Sequence, residues 1–106
     1  MLTSTNPDTT LEPLFKVLAD PLRRQILELL ACEALCTCHL VEETGAGQTT
    51  VSHHLRVLRE AGLVDTEPCG RFTYYRLRPD VLRRGADTLA DLASRAQTAQ
   101  GSKRPC

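Results

Sequence analysis

Aromatic side chains are scarce in this sequence of 106 residues, which has two Tyr, two Phe and no Trp. Burial therefore falls to leucine and alanine, and that favours helices. Long apolar runs are missing as well; none approaches the roughly 20 residues that span a bilayer. Residues 1–10 are polar and rich in Thr, without the basic region and apolar stretch of a secretory signal. The expectation is a cytoplasmic protein, in a compartment that keeps thiols reduced. Net charge is zero, which excludes only indiscriminate polyanion binding. No nucleophile is paired with a base or a carboxylate, so no catalytic constellation is legible and no organic substrate is expected. Internal repeats and low-complexity segments are absent too.

A hydrophobic content of 42% fits a folded chain, and the length allows one domain. A core of this size is only moderately stabilising, so burying a further apolar face by dimerising would be a natural gain. Charge is unevenly spread. Residues 1–47 carry three cations against seven acids, a net −4, whereas residues 48–84 carry seven arginines against four acids, a net +3. A nucleic-acid surface is to be sought in that second segment. Five cysteines are many for a small cytosolic chain, and an odd number cannot all pair. They read first as soft-metal ligands or reactive thiols.

Along the chain, residues 1–8 read as a flexible arm, residues 9–96 as the folded domain and residues 97–106 as a flexible tail. Thr9 and Glu12 form a capping-box pattern ahead of a stripe of Leu11, Leu14, Phe15 and Leu18. Asp20-Pro21 opens a second helix, with Asp as N-cap and Pro at the first helical position. Leu22, Ile26, Leu29 and Leu30 give its apolar face. A short third helix is expected from about Cys38 to Thr44, stopped by Gly45, and a fourth from Gln48 to Ala61, stopped by Gly62. Leu63–Glu67 and Phe72–Leu77 read as two strands joined by Pro68-Cys69-Gly70-Arg71. Arg78-Pro79-Asp80 opens a last helix whose stripe of Leu82, Gly85, Ala86, Leu89, Leu92, Ala93 and Ala96 suits close helix–helix approach. The expected fold is thus mostly α with one β-hairpin, in the order α-α-α-α-β-β-α.

A short helix, a glycine-containing turn and a longer helix describe a helix-turn-helix. In the fourth helix Val51, Leu55 and Leu58 face inward, while Gln48, Thr49, Ser52, His53 and Arg56 face out. Such side chains near a helix N-terminus reach base edges and phosphates. Arg71 at the hairpin tip and Arg76 on its second strand would follow the DNA backbone as a wing. His54 is expected to pack against the neighbouring helix instead.

The stretches "FKVLADPLRRQILELL", "LCTCHLVEETGAGQTTVSHHLRVLREAGLV" and "GRFTYYRL" closely resemble the ArsR/SmtB family of metal-responsive repressors, over roughly residues 11–96. The resemblance implies a winged-helix homodimer joined through its first and last helices. It further implies repression of a metal-resistance or homeostasis operon through a palindromic operator in double-stranded DNA, with Gln48, Thr49, Ser52, His53 and Arg56 as DNA contacts.

Cys36-Thr37-Cys38 is the chemical centre of the sequence. Thiolates hold soft ions tightly. Two residues apart on a regular helix point about 200° apart, so both can face one ion only at a loop-to-helix junction. "LCTCHL" resembles the "LCVCDL" box of arsenic and cadmium sensors, whose cysteines bind the inducer at the start of the third helix. The third cysteine that arsenic sensors carry three positions beyond the pair is Val41 here, and the N-terminal arm has no cysteine. Cys32 is the first candidate for the missing ligand; Cys69 at the wing tip and Cys106 in the tail are the others. His39 could serve zinc or stand as a surface histidine. The last helix has no His, so the interfacial zinc site of some relatives is expected to be absent. Trivalent arsenic or antimony prefers three sulfurs, whereas zinc and cadmium want four ligands. As(III) or Sb(III) is therefore the expected inducer, with Cd(II), Pb(II) or Zn(II) as the alternative. Two further alternatives remain: a redox switch among Cys32, Cys36 and Cys38, and a small thiol-dependent arsenate reductase.

Overall fold

A computed structural model describes residues 11–106, so the arm and the capping role of Thr9 lie outside the described residues. The order is α1 (Leu11–Leu18), α2 (Pro21–Leu30), β1 (Leu35–Cys36), α3 (Thr37–Thr44), α4 (Gln48–Glu60), β2 (Val64–Cys69), β3 (Phe72–Leu77) and α5 (Pro79–Thr98). None of these helices is long and apolar enough to cross a membrane.

The local signals act where their chemistry allows. Asp20 caps α2, its Oδ1 accepting the Leu22 and Arg23 amides at 2.8 and 3.1 Å. At the end of α4, Leu63 N–H donates to the Leu58 carbonyl at 2.9 Å and Gly62 N–H to that of Arg59 at 3.0 Å. This is a Schellman closure; Gly62 supplies the positive φ of +78° it requires, and Leu58 and Leu63 are both fully buried.

Several elements differ from the sequence expectation, and α4 ends at Glu60, one residue short of Ala61. The third helix begins at Thr37 because a two-residue strand, β1, delivers the chain to it. Leu35 pairs with Tyr75 and Cys36 with Tyr74, making a three-stranded antiparallel sheet in the order β1-β3-β2. So short a strand has no alternation to read; only its partner across the sheet defines it. The hairpin is also tighter than expected. β2 runs on through Pro68 to Cys69, which pairs with Phe72, leaving Gly70-Arg71 as a two-residue turn with Gly70 at φ +62°. Pro68 is tolerated because β2 is an edge strand and the ladder needs its amide only on one side. Finally, α5 continues to Thr98, past the expected end at Ala96.

The core gathers Leu14 and Val17 from α1, Ile26, Leu27 and Leu30 from α2, Leu40 from α3 and Val51, Leu55 and Leu58 from α4. Leu63, Val64 and Val81 close it. Val17 takes the inward place, while Phe15 is left 42% exposed. The second half of α5, from Leu89 onward, is exposed throughout.

Candidate nucleic-acid interface and thiol site

Helix α4 is held from behind and open in front. Behind, Val51, His54, Leu55 and Leu58 are buried at steps of three and four residues. His54 is fixed to α2, its Nδ1 accepting from Arg23 Nε at 3.0 Å. Burial holds the His54 imidazole below its ordinary value of 6.5, against the opposing pull of the Asp20 carboxylate. A neutral ring is what that hydrogen bond requires, since an imidazolium has no lone pair to offer Arg23.

In front, Gln48, Thr49, Ser52, His53 and Arg56 line one shallow concavity on the outer face of α4. All five are exposed. Amide, hydroxyl, imidazole and guanidinium groups there offer both donors and acceptors to base edges and phosphates. Arg71 stands exposed at the two-residue tip of the hairpin. Arg76, on β3, is already engaged: its Nε and Nη2 each lie 3.0 Å from Glu67 Oε1 on β2. A phosphate reaching Arg76 has to share it with that carboxylate.

The cysteine pair sits where β1 ends and α3 begins. Cys36 is the N-cap residue of α3, extended at φ −88° and ψ 169°, and Cys38 is the second residue of the helix. The break in backbone direction brings the two sulfurs together, as a regular helix could not; they are joined as a disulfide. Cys36 is buried and Cys38 exposed. His39 completes the group. Its Nδ1 accepts the Cys36 amide hydrogen at 3.2 Å and lies 3.3 Å from Cys36 Sγ. Its ring meets Tyr74 of β3 edge-on at 5.9 Å between centroids. The ligand atoms of Cys36, Cys38 and His39 all lie within 4.8 Å of one another. Two sulfurs and an imidazole nitrogen suit soft or borderline ions and offer nothing to the oxygen-seeking Mg²⁺ or Ca²⁺.

Cys32 stands outside this group. Its thiol is exposed and turned back on α2, 3.7 Å from the Glu28 carbonyl. It does open onto a cavity whose other walls include His39 and Tyr74. Cys69 and Cys106 are exposed free thiols, at the end of β2 and at the last residue. By sequence alone His39 is open between ligand and bystander; the signal for its place is the three-residue step from Cys36, the spacing of a capping box.

A helix-turn-helix with an exposed polar recognition face and a hairpin wing defines a DNA-binding regulator. Residues 20–66 match the family described as "Bacterial regulatory protein, arsR family". The chain is 42% identical over 72 residues to the arsenical resistance operon repressor of Staphylococcus xylosus, covering 68% of this chain and 69% of that one. It is 37% identical over 65 residues to the cadmium resistance transcriptional regulatory protein CadC of Listeria innocua, over 60% of this chain and 55% of that one. In three dimensions it is similar to a homodimeric winged helix-turn-helix DNA-binding domain from Mycobacterium bovis. There the TM-score is 0.67 at 30% identity, covering 91% of this chain and 88% of that one. The chain belongs to the ArsR/SmtB family and is a transcriptional repressor with a winged helix-turn-helix. Its relatives and structural neighbours are regulators, so the arsenate-reductase alternative is set aside.

Proposed function

We propose that this repressor binds a palindromic operator as a homodimer and leaves it when a trivalent arsenic or antimony species is captured by Cys36 and Cys38. The observation that carries the reading is the convergence of those two sulfurs at the β1–α3 junction. Two thiolates satisfy two of the three valences of As(III), and Cys32, on the rim of the cavity beside His39, is the candidate for the third. The arsenical-resistance relatives support the same ion.

The junction is well placed to act on DNA binding. Cys36 begins α3, and α3 packs on the recognition helix α4. Through its backbone Cys36 also pairs with Tyr74 on β3, the inner strand of the wing. An ion that holds the sulfurs in a different geometry therefore bears on both DNA-facing elements at once. Release further requires that the ion bind the free form more tightly than the operator-bound form.

Dimerisation supplies the second recognition helix. Leu89 and Leu92 on α5 are 53% and 50% exposed and Phe15 on α1 is 42% exposed, apolar surface that a second copy would cover. The homodimeric neighbour supports dimerisation. Gel-shift titration of the reduced protein with arsenite tests the whole reading. Release is expected for the unaltered chain and loss of release for Cys36→Ser and Cys38→Ser; undiminished operator binding by the unaltered chain at saturating arsenite would refute it.

A second reading is favoured by the joined sulfurs: oxidation of the Cys36–Cys38 dithiol by a peroxide, with the two thiol hydrogens leaving in water, would itself be the signal. Operator release by peroxide but not by arsenite selects that reading.

A further inference from the structure

We propose that His39 is a third donor of the Cys36–Cys38 site, fitting it for a borderline divalent cation such as Cd(II) or Zn(II), and that binding such an ion withdraws the cap from α3. This rests on the reading that Cys36 and Cys38 hold the inducer.

The donor atoms are already gathered. The ligand atoms of Cys36, Cys38 and His39 lie within 4.8 Å of one another, with His39 Nδ1 3.3 Å from Cys36 Sγ; donors around a tetrahedral zinc or cadmium ion keep roughly 3.5–4 Å. Once the dithiol is reduced, small side-chain rotations suffice to bring them onto one ion. The ring is oriented by its edge contact with Tyr74. An imidazole nitrogen suits a borderline cation, whereas As(III) is satisfied by sulfur and has no need of it. His39 thereby separates two classes of inducer at one pair of thiols.

The cap follows from the same atoms. Cys36 is the N-cap of α3 and His39 its third residue, and Nδ1 of His39 accepts the Cys36 amide hydrogen. Nδ1 carries one lone pair in the ring plane, so it can accept that hydrogen or bind an ion, not both. Ion capture consequently leaves the first turn of α3 without a bond that closes it. Because α3 packs on α4, the ligands of the sensor are also the fastening of the helix-turn-helix. No relay of intervening side chains is needed.

The test uses the reduced full-length protein with CdCl₂ and with sodium arsenite in separate titrations. Competition against a chelator, read by thiolate-to-metal absorption, is expected to show His39→Gln weakening Cd(II) binding by about tenfold or more. Arsenite affinity is expected to change less than twofold. Glutamine at that position can still accept the Cys36 amide, so the helix keeps its cap while the site loses its nitrogen. In the unaltered protein, nitrogen NMR is expected to show His39 Nδ1 shifting on Cd(II) addition and staying in place with arsenite. Amide exchange in the first turn of α3 is expected to quicken on Cd(II) loading. Unchanged Cd(II) affinity in His39→Gln, or an unmoved Nδ1 signal, overturns the assignment. If Cys36→Ser and Cys38→Ser retain both ions at full affinity, the underlying thiol reading falls instead.

Discussion

His54 shows how one residue ties the reading head to the rest of the domain. It sits among leucines on the inner side of α4 and accepts a hydrogen bond from Arg23 on α2. Burial lowers its pKa below the unfolded value of 6.5, so the unfolded chain takes up the proton more readily than the native one. The stability this group contributes is complete above pH 6.5 and drains away as pH falls toward the depressed native value. Thermal melts are therefore expected to show Tm dropping between pH 7.5 and 5.5, with a shallower drop in His54→Gln, whose amide can still accept from Arg23 without titrating. Asp20 works in the same direction but in a more acid range. Its bond from the Arg23 amide holds the carboxyl below 3.8, so its contribution persists until much more acid conditions. At the outer face of α4, Arg56 is exposed, has no ion-pair partner among the described residues and can meet phosphate. Arg56→Ala is expected to weaken operator binding across sequences and to reduce the salt dependence by about one counterion. Arg76→Ala is expected to do less, because Glu67 already occupies its guanidinium.

Among the elements, the join between α4 and β2 decides how the recognition helix is aimed relative to the wing. The Schellman closure turns the chain within three residues and carries Leu63 into the core with Leu58. A β-carbon at Gly62 would meet only Val81 at an ordinary 3.6 Å, so the objection to any other residue there is the φ of +78°. Gly62→Ala is expected to cost about 1–2 kcal/mol of stability in chemical denaturation. Gly85 is a contrasting case on α5. There the backbone is ordinary helix and the crowding is tertiary, since a β-carbon would run into Leu14 of α1. The α1–α5 contact thus depends on the absence of a side chain. β1 is the smallest element and the most consequential. Two residues pairing with β3 fix the direction from which Cys36 enters α3, and that direction is what lets the sulfurs meet.

As a whole the molecule is elongated, 63 Å in its longest dimension, because the second half of α5 leaves the domain. Leu89 and Leu92 stand on that projecting helix with half their surface exposed, an arrangement that a lone chain has no reason to keep. Replacing both with Glu is expected to shift the mass seen by light scattering from dimer to monomer. Operator affinity would fall with it, since one recognition helix then has to find its half-site unaided. The uneven charge along the chain follows the same layout: the arginine-rich segment comprises α4, the hairpin and the start of α5.

The sequence by itself determined where the helices lie, the caps at Asp20 and Gly62, and the inward face of α4. These depend on neighbours three or four positions away, a distance at which side chains act on their own backbone. It determined the polar face of α4 for the same reason, as the complement of the Val51–Leu55–Leu58 stripe. What only the tertiary structure decided are the meetings between distant segments: Arg23 with His54, Cys36 with Tyr74, and Leu14 with the bare backbone of Gly85. The gathering of two sulfurs and an imidazole is local in sequence and tertiary in cause. Residues 36, 38 and 39 diverge on a continuous helix and converge here because pairing with β3 holds Cys36 in extended conformation at the moment the helix begins.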